Sequence, residues 1–249
     1  MSQASNHKGK VALITGANRG IGLETAKQLG EQGITVLVAA RKLATAEETA
    51  ASLKAQGIDA YPIQLEVTSA PDRVAAAKHI GEKFGKLDIL INNAGVGAST
   101  GFTPVTSQVT DEDLQRVFDT NFFAVVALTR ELLPLIQKSE AGRIVNLSSI
   151  LGSLTLHADP NSPIASFKSI AYDASKSALN QYTIHLAYEL KDTKIKVNSA
   201  HPGWVKTELG TDAAPMEIPD GAKTSVELAL LGHDGPTGRY IHLGQELPW

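Results

Sequence analysis

Short, near-continuous apolar runs recur along this chain, each followed by a longer amphipathic stretch. The runs are Lys10–Thr15, Thr35–Ala40, Ala60–Leu65, Asp88–Asn92, Arg143–Ser148, Lys196–Ala200 and Gly238–Leu243. Apolar and polar residues do not alternate within them, so each predicts a strand covered on both faces, as in a parallel sheet. The intervening stretches predict helices over Gly20–Gln32, Ala44–Gln56, Ala70–Phe84, Asp111–Gln137 (capped by Thr110) and Ile170–Leu190. Strands alternating with helices need crossover connections, which gives an α/β fold: a doubly wound parallel sheet flanked by helices on both faces. No repeat or linker-like stretch divides the chain, so residues 1–249 read as a single domain.

The composition narrows the function. Cysteine is absent, which excludes disulfides, thiolate metal sites and a cysteine nucleophile, and fits a reducing cytoplasm. The formal net charge is −3 and the Lys and Arg residues are scattered, so nucleic acid is not an expected partner. The polar start MSQASNHKGK lacks the apolar segment of a secretory signal. No apolar run approaches the roughly 18–20 residues that span a bilayer. The expectation is a soluble, cytoplasmic protein without a membrane partner.

Two segments interrupt the alternation: Leu151–Ser169, which contains Pro160 and Pro163, and Lys206–Asp220, which contains Pro215 and Pro219. Each follows a predicted strand, and in open α/β sheets ligands bind beyond the carboxyl ends of the strands. TGANRGIG, Thr15–Gly22, falls where the first strand turns into the first helix. Glycine allows a tight turn and close backbone approach, and a helix N-terminus offers unpaired N–H groups to a pyrophosphate. Gly16, Gly20 and Gly22, with Asn18, Arg19 and Ile21 between them, are therefore candidate cofactor contacts. There is no Lys-Ser/Thr ending of the kind that a nucleoside-triphosphate loop carries. After the second strand, where a carboxylate would hold a ribose 2′-hydroxyl, the chain reads VAARK. Arg41 and Lys42 there, with Arg19, suit a 2′-phosphate, which favours NADP(H) over NAD(H).

Tyr172 and Lys176 stand four apart on one predicted helix and so share a face. With TGANRGIG, NNAG (Asn92–Gly95), Asn121 in FDTNFF, Ser149 in IVNLSS and HPGWVKT (His201–Thr207), they form an ordered set that resembles the short-chain dehydrogenase/reductase superfamily. The resemblance runs from Lys10 to about Thr207 and implies a Rossmann-type domain that moves a hydride between a nicotinamide and a carbonyl or alcohol. It implies a catalytic Ser149, Tyr172, Lys176 and Asn121. Lys176 would tune the phenol and hold the nicotinamide ribose, and Asn121 would anchor a water toward Lys176. A phenol near pKa 10 is a sluggish acid–base at neutral pH, and a nearby ammonium favours its ionised form. Asn93, Ala94, Gly95, Pro202, Gly203, Val205 and Thr207 join the implied cofactor contacts, as do Glu66 and Val67, where the family usually has Asp-Val at the adenine.

The long segment between Ser149 and Tyr172 and the stretch Asp220–Ile241 resemble the carbonyl-reductase branch. Leu151, Leu156, Trp204 and Met216 are candidate apolar walls, beside Ser149 and Tyr172, for a ketone or aldehyde with a hydrophobic substituent. A 3-oxoacyl thioester reductase and a non-catalytic NADP(H)-sensing regulator are the alternatives; the complete Ser149, Tyr172 and Lys176 set argues against the regulator. The histidines form no zinc pattern, so no metal is expected: His185 has no correctly spaced partner, and His157 and His201 read as loop and packing residues. Monomer and small homo-oligomer both stay open.

Overall fold

A computed structural model describes residues 7–99 and 105–249. The strands are β1 (Val11–Thr15), β2 (Thr35–Ala40), β3 (Ala60–Gln64), β4 (Ile89–Asn92), β5 (Arg143–Leu147), β6 (Lys196–Ala200), β7 (Tyr240–His242) and β8 (Gln245–Glu246). They form one 8-stranded sheet in the order β3-β2-β1-β4-β5-β6-β7-β8. Every pairing is parallel except that of β7 with β8. The chain starts mid-sheet, winds outward to β3, then crosses back to β4. Between β1 and β4 the winding direction reverses, which leaves a crevice at the carboxyl ends of these strands.

The helices are α1 (Gly20–Glu31), α2 (Leu43–Ala55), α3 (Ala70–Phe84), α4 (Asp111–Phe118), α5 (Ala124–Ile136), α6 (Leu154–Ala158), α7 (Ile170–Glu189) and α8 (Ile218–Ala229). Leu29 of α1, Leu53 of α2 and Leu228 of α8 pack one face of the sheet. Ile80 of α3, Leu132 of α5 and Leu186 of α7 pack the other. Because both faces are covered, the central strands are apolar throughout; β1 is buried at every position.

The expected long helix over Asp111–Gln137 is present but not uniform. Thr110 caps it by accepting from Asp113 N at 3.2 Å. Between α4 and α5 lies a π-helical turn, Asp119–Phe123. Such turns widen the backbone ladder and often occur at functional sites. This one carries Asn121, which is fully buried.

The edges of the sheet are finished differently. Pro62 pairs with Val38 in β3, an edge strand, where a missing N–H costs no ladder bond. The Tyr61 ring beside it is covered by Phe84 at 5.3 Å and by Lys83 Nζ at 3.9 Å. At the far edge β8 folds back on β7 through Leu243 and Gly244, both at positive φ (45° and 75°). Positive φ at both central positions is the pattern of a tight hairpin turn.

Candidate active site

The crevice is built by tying two loops together. Thr15 Oγ1, at the end of β1, accepts from the N–H groups of Asn93 and Ala94, each at 2.9 Å. Asn93 Nδ2 donates back to Thr15 O at 2.7 Å. The Asn93 side chain is thus engaged with the glycine loop and shapes the site by holding it. A Cβ on Gly22 would lie 2.4 Å from Asn93 Nδ2 and 2.5 Å from Gly16 O, so only glycine fits there. Gly16 and Gly20 have φ of +62° and +54°, a region that glycine enters without steric cost. Helix α1 opens on this loop with no side-chain cap and no acid in its first turn. Its first N–H groups and dipole are therefore directed at the crevice without a competing side chain, which fits a pyrophosphate. Asn18 and Ile21 flank the turn, half-buried.

Toward the outer end, Arg41 and Lys42 follow β2 and are both exposed. Glu66, expected at the adenine, is engaged locally: Oε1 accepts from Thr68 Oγ1 at 3.0 Å and Thr68 N at 3.3 Å. The turn into α3 is polar and close, so it captures the longer side chain. Val67 and Ala94 share the wall of one small recess.

The proposed proton-transfer residues converge beyond the end of β5. Ser149 follows that strand and interacts through its hydroxyl with Tyr172 on α7. Lys176, one turn later, is buried; its Nζ donates to Leu147 O at 2.8 Å and lies 5.6 Å from the Tyr172 ring centre. Four-residue spacing on α7 stacks phenol and amine on one face, as the sequence requires. A Cβ on Gly95 would lie 3.6 Å from Nζ and 3.3 Å from Asn121 Oδ1, so glycine there keeps the amine open to the crevice. Asn121 Oδ1 accepts from Val96 N and its Nδ2 donates to Val96 O, both at 2.9 Å; Nδ2 also donates to Ser175 Oγ at 3.1 Å. Asn121 therefore ties the NNAGVG loop to α7 beside Lys176.

Among the chain's own groups, burial dominates at the phenol. Burial, with a smaller contribution from the Asp173 charge, outweighs the Ser149 hydrogen bond and pushes Tyr172 up to about 12. Burial also lowers Lys176 to about 8. Both shifts have the same main cause: each charged form is held out of water. Tyr172 is thus protonated at neutral pH.

A polar ladder holds this region in register. Asn92 Nδ2 donates to Asn146 Oδ1 at 2.8 Å, Asn146 Nδ2 to Thr183 Oγ1 at 2.9 Å, and Ser199 Oγ to Thr183 Oγ1 at 2.9 Å. These bonds run across β4, β5 and β6 and fix α7 to the sheet at Thr183. Sequence reasoning missed them, although Asn and Ser inside otherwise apolar strands were the visible signal.

Of the candidate walls, Leu151 is buried and Leu156 half-buried within the segment before α7, while Trp204 is exposed and near Phe167, with ring centres 6.4 Å apart. Met216 is placed differently. A Cβ on Gly203, whose φ is +92°, would lie 2.1 Å from Met216 Sδ, so the thioether packs against the turn after buried Pro202. Val205 pairs with Met216 in an isolated bridge, and a Cβ on Gly221 would lie 2.6 Å from Val205 Cγ2. Val205 thus holds the base of the loop against α8, and Met216 holds it against the Gly203 turn.

The histidines have packing partners. His201 Nδ1 accepts from Ile150 N at 3.2 Å, and burial pushes the ring down to about 3, so it is neutral. His157 bonds Leu151 O at 3.0 Å and meets Lys168 Nζ at 2.8 Å, fastening the inserted segment. Also missed from sequence was Tyr240, buried beside Ser148 and stacked on Trp249 at 5.5 Å. Among the described residues no helix is long and apolar enough to cross a membrane.

The doubly wound sheet thus carries a glycine turn at its switch point and Ser149, Tyr172 and Lys176 beyond β5. The short chain dehydrogenase family model matches residues 10–218, and the chain belongs to that family of oxidoreductases. It is 33% identical to short-chain dehydrogenase/reductase 1 of Saponaria officinalis, over 100% of both chains. It is 34% identical to the 3-oxoacyl-acyl-carrier-protein reductase FabG of Staphylococcus aureus, over 90% of this chain and 86% of the relative. Among solved structures it resembles the NADPH-bound carbonyl reductase from chicken fatty liver, with TM-score 0.84, 27% identity, and 97% and 100% of the two chains covered.

Proposed function

We propose that this protein is an NADP(H)-dependent carbonyl reductase, interconverting a ketone or aldehyde and its alcohol. The observation that carries the reading is the convergence of Ser149, Tyr172 and Lys176 beyond β5, facing the crevice that starts at the glycine loop. The nicotinamide, when bound, supplies or accepts the hydride at the carbinol carbon. Tyr172 gives its proton to the carbonyl oxygen in reduction and recovers it in oxidation. Ser149 donates to the same oxygen, where negative charge develops. Lys176 holds a positive charge near the phenol and would hold the nicotinamide ribose. Asn121 positions the loop and helix around that amine, and a lone pair of its Oδ1 is available to a bridging water.

Gly16–Gly22 would hold the pyrophosphate, with Thr207 packed against Gly20. Arg41, Lys42 and Arg19 supply cations for a 2′-phosphate, and the NADPH-bound carbonyl reductase of chicken liver is a structural relative that carries that phosphate. Leu151, Leu156 and Trp204 favour an apolar substituent on the carbonyl. The FabG relative gives the second reading, a 3-oxoacyl thioester reductase.

A panel of aryl and alkyl ketones, aldehydes and a 3-oxoacyl thioester, assayed with NADPH and NADH, tests the proposal. The expected result is reduction of apolar ketones with NADPH, and a preference for the thioester supports the second reading. Arg41→Asp is expected to shift kcat/KM toward NADH by about tenfold or more, since it replaces a charge-assisted contact with repulsion. An unchanged cofactor ratio would remove Arg41 from the phosphate site.

A further inference from the structure

The loop after Val205 crosses the crevice. Its base is closed by the Val205–Met216 bridge, by Lys206 N donating to Met216 O at 2.9 Å, and by a Lys206–Glu217 ion pair. Trp204 Nε1 donates to Gly210 O at 2.7 Å and stiffens it. Thr207 Cγ2 lies 3.5 Å from where a Cβ on Gly20 would be, which places it on the glycine loop. Leu209 Cδ1 lies 2.6 Å from the equivalent point on Gly97, in the NNAGVG loop. Between these contacts Glu208 forms an ion pair with Arg19.

Arg19 is also one of the cations assigned to the 2′-phosphate. A guanidinium binds carboxylate and phosphate through the same fork of N–H groups. Among the described residues Glu208 is the carboxylate paired with Arg19, and the first turn of α1 has no acid. We propose that Glu208 is a specificity-determining residue that competes with the 2′-phosphate for Arg19 and so sets how strongly NADP(H) is preferred; this rests on the NADP(H) reading above. An entering phosphate displaces the carboxylate from the fork and meets its repulsion nearby. NADH, which lacks that phosphate, leaves the pair in place. The partners are 67% and 73% exposed, so solvent screens the competition to a modest size.

The test is a fluorescence titration of NADPH and NADH with the wild-type protein, Glu208→Gln, Arg19→Gln and the double variant at low salt. Glu208→Gln is expected to tighten NADPH by about three- to tenfold, with NADH changing by less than about twofold. In the Arg19→Gln background the same substitution is expected to move NADPH affinity by less than about twofold. Unchanged or weaker NADPH binding by Glu208→Gln overturns the inference alone, as does an equal gain without Arg19. A wild-type protein that binds neither dinucleotide overturns the functional reading and the inference together.

Discussion

Tyr172→Phe is expected to lower turnover by on the order of 10²–10⁴-fold, the range that a positioned proton donor contributes. NADPH affinity is expected to stay within about twofold, because the ring remains and only the hydroxyl is lost. The phenol is pushed up to about 12 by burial, so it is a proton donor throughout the neutral range. Reduction by the wild-type enzyme should therefore vary little near neutral pH. Alcohol oxidation, which needs the phenolate, should rise as pH increases. Steady-state rates of both directions, with cofactor titration of the variant, check this. Normal turnover by the Phe variant would remove Tyr172 from the mechanism.

Lys176→Met is expected to raise stability while removing most activity. The buried ammonium sits at about 8 in the fold against an ordinary 10.5. A base whose folded pKa is depressed makes the fold less stable wherever the amine is protonated in the unfolded chain. That cost is complete below about 8 and fades as pH rises toward 10.5. At neutral pH it is about 3 kcal/mol, from 1.36 kcal/mol per pKa unit. Methionine keeps the volume but leaves Leu147 O without its donor, which offsets about 1–2 kcal/mol. The net gain is then about 1–2 kcal/mol, or a few degrees in Tm for a domain of this size. Turnover should fall on the order of 10²-fold or more. Thermal melts across pH 7–10 and rate profiles on the same samples measure both halves. A variant that is destabilised would contradict the buried-charge account.

The core strands were legible because a sheet covered on both faces leaves only apolar choices; β1, β2, β5 and β6 lie where the runs of Val, Ile, Leu and Ala put them. Tyr172 and Lys176 were legible because helical spacing is local. β8 was not, since two residues carry no periodicity and its position depends on the turn at Leu243 and Gly244. α6 was hidden by the surrounding prolines, although Ser153, which accepts from Leu156 N at 3.1 Å, was a readable cap. α8 was not predicted, and its first residues fell in the expected loop Lys206–Asp220; Pro219 in its first turn and the Ala- and Leu-bearing stretch beyond it were its signals. The π turn at Asn121, the inward turn of Met216 and the Arg19–Glu208 pair arise from contacts between distant segments, which no local pattern encodes.

Direct hydride exchange beside Tyr172 is the central step, and isotopic labelling measures it. NADPH deuterated at the transferring position is incubated with the wild-type protein and a hydrophobic ketone, and the alcohol is analysed by mass and NMR. The predicted result is one deuterium on the carbinol carbon for each NADPH consumed. NADPH that binds but delivers no label to any carbonyl in the panel would contradict it.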